Sequence, residues 1–489
     1  MPRLFVFAIG GTGARVLRSL TMLLAAGVQP NDSQGNRYEI IPLIIDPDGA
    51  NGNVAQTMNL LDHYRSVRQE LDVNLTNDCF FNGVISELSS LSGTAKSQGL
   101  EGYKLLIPNV DGSTFGQFIG YNQLSVKAHG GDGTKELLEV LYTKKNLETN
   151  LEIGFQGYPN MGAVVLNQFA SMPAFQSFAN AFNQGDRIFI VSSIFGGTGA
   201  AGFPLLVKNL RSANPNLPNF NYINQATLGA VAVQPYFNLP NNAQSPIDSK
   251  QFITKTKAAL SYYESNLRGL NSLYYIGDEP QSVFENNPGG AFQKNQAHFV
   301  ELVSAISIFD FLQNSNGDVL DKDHREFGIE HVAPTLHLTH LSRQTQDIIN
   351  KPLTKFWLLN QYLENELKRD DAFSQVFFTT VPKISKIDYS QMPFFKVLKE
   401  LTSEYGIWLD EMKKSQIAFE PFKGVVFDKI FDSIEGFKGR RGFLSGKDDN
   451  HIVKAINNQT SNYRADSIPN KFIKGVSSAL NEIIKEKIF

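Results

Sequence analysis

Cysteine is almost missing from this chain: its 489 residues include one, Cys79. No intramolecular disulfide can form, and so sparing a use of cysteine fits a reducing cytoplasm. Long hydrophobic runs are missing too. No stretch approaches the roughly 20 apolar residues that a membrane-spanning helix needs. Neither sign of charge is in excess. The net charge is −3, which gives no reason to expect a nucleic-acid partner or an anionic membrane surface. There is no internal repeat and no low-complexity tract. With 42% hydrophobic and 19% charged residues, the composition is that of a globular protein long enough for two or three domains.

The stretch from Asp186 to Arg211, DRIFIVSSIFGGTGAAGFPLLVKNLR, organises the rest. Ile188 to Val191 form a β-branched and aromatic run that predicts a buried strand. The loop Gly196-Gly197-Thr198-Gly199-Ala200-Ala201-Gly202 follows, and then Phe203, Leu206, Val207 and Leu210 take helical spacing. A strand feeding a glycine loop that opens a helix makes an anion site. Glycine admits a close ligand, and the unpaired N–H groups of the first helical turn point at it with the positive end of the dipole. Thr198 adds a hydroxyl donor. A tight strand-to-helix turn with no ligand is the plainer alternative.

The same unit occurs at the start of the chain. Leu4 to Ile9 predict a strand, Gly10-Gly11-Thr12-Gly13 a loop, and Val16, Leu17, Leu20, Leu23 and Leu24 the apolar side of a helix. The opening apolar run is too short for a signal-peptide core. Taken alone, this unit equally suits the first turn of a dinucleotide-binding fold. A strand over Tyr38 to Ile45 then ends at Asp46-Pro47-Asp48-Gly49. Ligands bind beyond the carboxyl ends of strands in open α/β sheets, so these acids are placed for a ribose hydroxyl or a magnesium-bound water, or else form an ordinary turn. Helices are expected at 53–82, Lys135 to Leu147, Met161 to Phe182 and 251–268. Further strands are expected at Ala226 to Val233 and Ser272 to Gly277. Strands alternating with helices imply a parallel sheet covered on both faces. A long amphipathic helix is expected from Gly289-Gly290-Ala291-Phe292 to about Leu312. Phe292 and Gln296, four apart, would share a face there, suited to stacking on a base and hydrogen-bonding it. Loop punctuation is the better account of Gly112-Ser113-Thr114 and Gly130 to Gly133 than phosphate contact.

In this order, these units resemble the tubulin/FtsZ superfamily of GTPases over residues 3 to 312. Gly196 to Gly202 resembles its GGGTGSG signature loop, with Phe195 in place of the leading glycine. Gly10 to Gly13 resembles the first phosphate loop, and Asp46-Pro47-Asp48 the second. Leu228 to Phe237 is similar to the strand that ends in the family's VTxPF pattern, and Ala291 to Ser307 to the central helix. The resemblance implies a Rossmann-like parallel sheet with helices on both faces and a long central helix. It implies GTP or GDP held by Gly10, Gly11, Thr12, Gly13, Asp46, Asp48, Gly196, Gly197, Thr198 and Gly199, with Asp48 near Mg²⁺. Phe292 would stack on guanine and Gln296 would read its edge, although the family has Asp or Asn there. The family's NxDxxD catalytic loop is absent; Asp318, Asp321 and Asp323 in NSNGDVLDKD would orient or deprotonate the attacking water in a neighbouring subunit. Such head-to-tail contacts give open filaments. The expected divisions are a nucleotide-binding domain over 1–290, the central helix and catalytic loop over 291–324, and a divergent α+β domain over 325–489. Two other functions stay open: a non-catalytic nucleotide-binding scaffold with other protein partners, and an NAD-dependent oxidoreductase using Gly10 to Gly13 and Asp46.

Beyond Arg325 the resemblance ends. Helices are expected at Leu341 to Leu367, Phe394 to Lys414 and Ile468 to Phe489, the last amphipathic. Short strands are expected at Val332 to Thr339, Val376 to Val381 and Gly424 to Phe427. His324, His331, His337 and His340 cluster without a recognised metal spacing. The basic, glycine-rich Gly436 to Lys447 fits an exposed loop better than a site for an acidic partner.

Overall fold

The computed structural model describes every residue except 92–98, 125–132, 241–249, 281, 288, 315–323, 327–332, 368–371, 375–382, 426–428, 438–447, 464–465 and 488–489. The β-branched and aromatic runs form strands as their composition dictates: β1 (Arg3–Ile9), β2 (Glu39–Ile45), β3 (Leu100–Glu101), β4 (Lys104–Leu105), β5 (Arg187–Ser193), β6 (Thr227–Val233), β7 (Ser272–Ile276) and β8 (His324–Glu326). They make one sheet in the order β8-β7-β6-β5-β1-β2-β4-β3. Every pairing is parallel except β3 with β4. Ile9 pairs with Ile45 of β2 and with Ser192 of β5, and Ser193 with Val233 of β6. The register therefore brings the carboxyl ends of four central strands level along one edge.

The main helices are α1 (Gly10–Ala26), α2 (Gly52–Gln69), α3 (Pro159–Leu166), α4 (Pro173–Ala181), α5 (Gly197–Arg211), α6 (Lys250–Asn266), α7 (Phe299–Asn314), α8 (Arg343–Gln361), α9 (Pro393–Lys413), α10 (Asp448–Gln459) and α11 (Ile468–Lys487). Alternate strand residues feed two cores, as a parallel sheet buried on both faces requires. Leu4, Val6 and Ala8 join α1, α7, α8, α9 and α11. Phe5, Phe7 and Ile9 join α3, α4 and α5 on the other face. Phe178 of α4 stands edge-on to both Phe5 and Phe7, with ring centroids 5.1 Å apart in each pair. The architecture is thus the Rossmann-like α/β sandwich that the sequence implies.

Several boundaries differ from expectation. The helix expected over Met161 to Phe182 is two, because Pro173 starts α4 afresh. The segment after Gly133 breaks at Thr143, which caps a second short helix. The central helix begins at Phe299, well after Phe292, and it is not amphipathic: Phe299 through Leu312 are all buried. Val300 N donates to His298 Nδ1, and His298 N donates to Glu301 Oε2, both at 3.2 Å, so His298 and Glu301 together cap the helix there. The residues before it form an irregular strap whose backbone is bonded elsewhere, as described below.

The C-terminal helices lie over α1, of which every residue except Gly11 is buried. Trp408 Nε1 of α9 donates to Ser19 Oγ at 3.2 Å. Helix α11 also reaches the first third of the chain, where Asn470 Nδ2 meets Asp72 Oδ1 at 3.0 Å and Ser477 Oγ donates to the Asp78 carbonyl at 2.9 Å. Of the short strands expected here, Thr335–Leu336 exists and pairs with Ala418–Phe419. Gly424 and Val425 are irregular, and 376–381 lies outside the described residues.

Candidate functional site

Both glycine loops leave the level edge of the sheet and turn at once into helices. Gly10 has φ +73°, a left-handed conformation that side chains resist. Neither α1 nor α5 has a side-chain cap at its N-terminus. The first-turn N–H groups of both helices are therefore not claimed by a capping side chain. The two loops touch. A Cβ added at Gly10 would sit 3.5 Å from Thr198 Cβ and 3.9 Å from Gly199 N.

Gly10, Gly11, Thr12, Gly196, Gly197, Thr198 and Gly199 all line one cleft. Gly13 does not line it. A Cβ at Gly13 would lie 2.6 Å from the Ala8 carbonyl carbon, so this glycine lets α1 pack against β1. Gly199 serves both ends: it lines the cleft, and a Cβ there would come within 2.4 Å of the Ser193 oxygen.

The acid turn closes a second side. Asp46 and Asp48 line the cleft beside the first loop. Asp46 Oδ1 accepts from Asp48 N at 3.0 Å, and its Oδ2 from Asn51 Nδ2 at 3.1 Å. Burial, reinforced by the neighbouring Asp48 charge, pushes the Asp46 carboxyl up to about 7 against the opposing pull of these hydrogen bonds and Lys104. Asp48 Oδ2 accepts from Gly290 N at 2.7 Å, which ties the strap to the turn. Asn51 also caps α2, its Oδ1 accepting from Asn53 N at 2.9 Å and Val54 N at 3.4 Å.

The strap supplies different residues from those expected. Phe292 is 84% exposed and does not line the cleft; neither does Gln296, which is exposed. Both were expected on one helical face, and no helix exists there. Gly52 N donates to the Gly290 carbonyl at 3.2 Å and Asn53 N to the Gln293 carbonyl at 3.0 Å. These bonds from the start of α2 hold the strap as a third edge and turn Gln293 and Asn295 into the cleft. The loop Ile153 to Gly157 lines it from the opposite core, and Lys255 of α6 holds that loop by donating to the Gly157 carbonyl at 2.7 Å.

One wall is aromatic. Phe195, in place of the expected glycine, packs its ring 4.9 Å from Phe252 and 5.6 Å from Phe237, and all three line the cleft. Arg15 enters at this end, one turn into α1. It is the one basic side chain among the described lining residues. Its Nε donates to Glu301 Oε1 and its Nη2 to Tyr236 OH, each at 2.5 Å, and Tyr236 OH donates to Glu301 Oε1 at 2.6 Å. Beside them, burial pushes the His298 imidazole down to about 4, so it is neutral at pH 7. Val300 N–H makes its Nδ1 an acceptor.

Asp318, Asp321 and Asp323 lie outside the described residues, as do Gly130 to Asp132 and His331. Gly112 to Thr114 do not line the cleft, and Thr114 caps a short helix. His337 N donates to His340 Nδ1 at 2.9 Å, and His337 Nδ1 meets the Glu420 carbonyl at 2.7 Å. No cluster of three or more metal-ligating side chains occurs among the described residues, and no described helix is long and apolar enough to cross a membrane.

No protein-family model matches this chain, and no curated protein does. Solved structures similar to parts of it include CetZ from Methanosaeta thermophila strain DSM 6194. That match has 14% identity and a TM-score of 0.23 over 57% of this chain and 46% of the other. Another is CetZ2 from Haloferax volcanii, described as a GTPγS-bound protofilament, with 12% identity and a TM-score of 0.29 over 65% of this chain and 60% of that one. In both, the match spans less than two thirds of the solved chain.

Proposed function

We propose that the cleft holds a nucleoside triphosphate, and that the protein is a tubulin/FtsZ-like GTP-binding protein. The observation that carries this is the convergence of two uncapped helix N-termini, each opened by a glycine loop, on a single cavity. Two such termini aim two sets of N–H donors and two positive dipole ends at one place, which suits a chain of phosphates better than a single carboxylate. A nicotinamide dinucleotide needs only the first loop and leaves the second without a role.

The charges of the lining call for a cation. Asp48 and Glu285 face the cleft, as does Asp46, whose carboxyl burial holds at about 7, while Arg15 is already paired with Glu301. Polyphosphate would meet more negative than positive charge. Mg²⁺ fits this donor set, since it binds through one or two carboxylates together with phosphate oxygens and water. Asp48 and Asp46 are the residues that would hold it or its waters, and the ion would neutralise charge on the phosphates.

Hydrolysis, in this proposal, is completed by a second copy stacked head to tail, whose Asp318, Asp321 and Asp323 orient the attacking water. Identification of the nucleotide that co-purifies, followed by titration with GTP, ATP and NAD, tests the binding. Phosphate release and sedimentation at several protein concentrations test the assembly. Turnover per subunit should rise with concentration, and Asp318→Ala, Asp321→Ala or Asp323→Ala should remove turnover while sparing binding. Turnover independent of concentration would argue against the shared site. Nucleotide binding with neither phosphate release nor assembly would leave the protein a nucleotide-binding scaffold.

A further inference from the structure

The strap from Gly290 to His298 has no helix or sheet ladder to hold it, so its position rests on the partners that its backbone amides find one by one. Toward its start those partners come from the acid turn and from α2: Asp48 takes Gly290 N, and Asn53 Oδ1 takes Asn295 N at 2.8 Å. At its end they come from elsewhere. Ala297 N donates to Glu411 Oε2 of α9 at 2.9 Å, and His298 N to Glu301 Oε2 of α7. An arginine of α1 holds each of these carboxylates in turn. Arg15 binds Glu301, and Arg18, one turn further along, donates from Nη1 to Glu411 Oε2 at 2.5 Å. Two arginine–glutamate pairs thus grip two successive amides where the strap becomes α7. Arg18 is 2% exposed, its Nε and Nη2 find no hydrogen-bond partner among the described residues, and Glu404 stands 3.6 Å from Nη2. A buried guanidinium bonded through one nitrogen depends on the one carboxylate that it has, which fixes Glu411 beneath Ala297.

We infer that Glu411 is a positioning residue for the cleft: by fixing Ala297 it holds the strap that carries Gln293 and Asn295, and so couples nucleotide binding to helix α9. The coupling presupposes the nucleotide site proposed above. It brings into that site a helix from the part of the chain where the family resemblance has ended. A strap held in advance costs a ligand less ordering, which raises affinity. Coupling is reciprocal, so a nucleotide that orders the strap steadies α9 by the same free energy. Helix α9 is placed to respond as a body. Trp408, three residues before Glu411, bonds Ser19 of α1, and Glu400 meets His63 of α2 at 3.5 Å.

The test is amide hydrogen exchange with and without GDP, beside calorimetry of GDP binding, in the unaltered protein and in Glu411→Gln. GDP should slow exchange in the strap and over Glu404 to Glu411 by on the order of tenfold beyond its effect on α4, which packs on the other face of the sheet. Glu411→Gln should weaken GDP by about the same factor. At saturating GDP it should also lose the extra protection of α9. A merely structural Glu411 would quicken exchange in α9 alike with and without GDP and leave the increment intact, which overturns the inference. A strap that slows in the unaltered protein while α9 does not overturns it too. If calorimetry shows no GDP binding to the unaltered protein, the nucleotide site itself has failed and the coupling falls with it. Arg18→Met combined with Glu411→Leu replaces the pair by apolar groups, a change that buried ion pairs often tolerate, and so guards against a single variant that does not fold. This double variant should lose the same increment, and keeping it would overturn the inference.

Discussion

Asp46→Asn should change how the stability of this protein depends on pH. Asp46 is 4% exposed, and burial is the largest cause that holds its carboxyl near 7 rather than 3.8 in the folded chain. Between about pH 4 and 7 the unfolded chain carries this group ionised, while the folded chain keeps it protonated. Folding therefore takes up a proton in that window. Stability attributable to Asp46 is intact below pH 4 and falls as pH rises, by about 1.4 kcal/mol per pH unit, until it levels near 7. Three such units amount to about 4 kcal/mol. Asparagine removes the titration but turns an amide nitrogen toward Asn51 Nδ2, at a cost of about 1–2 kcal/mol. The variant should be the less stable protein at pH 4 and the more stable by about 2–3 kcal/mol at pH 8. Urea unfolding at half-unit pH steps measures this, and subtracting the two curves cancels every other titrating group. Parallel curves between pH 4 and 7 would refute the reasoning, because they would mean that Asp46 stays ionised in the folded chain.

Other outcomes follow from the same geometry. Gly10→Ala forces a side chain into a left-handed conformation at φ +73°, beside Thr198; the strain of about 1–2 kcal/mol should weaken nucleotide binding roughly tenfold, read by calorimetry. Glu301→Gln removes the partner of an Arg15 guanidinium that is 6% exposed; the unpaired buried cation should lower stability by about 3–5 kcal/mol in denaturant unfolding, and Arg15→Met in the same chain should restore part of it. Phe292→Ala should leave nucleotide affinity within twofold of wild type, since the ring is 84% exposed and outside the cleft; a tenfold loss would restore the stacking role that the family resemblance implies.

Much of the sheet was legible because buried parallel strands read as continuous apolar runs. Leu4 to Ile9, Ile188 to Val191 and Ala226 to Val233 each carry that signal. The glycine loops were legible because they follow such runs directly and precede helical spacing. The strap was not. Whether Ala291 to His298 is helical depends on Asn51 and Asn53, which meet Gln293 and Asn295 across 242 positions of sequence. Local spacing favoured a helix with Phe292 and Gln296 on one face; hydrogen bonds to the start of α2 outweighed it. Asn51, two residues after the Asp-Pro-Asp-Gly turn, was the available sign of a helix cap in that place. Arg15 was equally hidden. Its partner Glu301 lies 286 residues away, and only the folded chain shows that Arg15 lines the cleft with Glu301 holding it.

The central claim is that two helix N-termini at the ends of separate strands hold one chain of phosphates together. The most direct measurement is a crystal structure of the protein grown with GTPγS and Mg²⁺. It should show phosphate oxygens within about 3 Å of backbone nitrogens from both Gly11–Thr12 and Thr198–Gly199. Phosphates resting on one loop alone, or a nucleotide bound anywhere else, would contradict it.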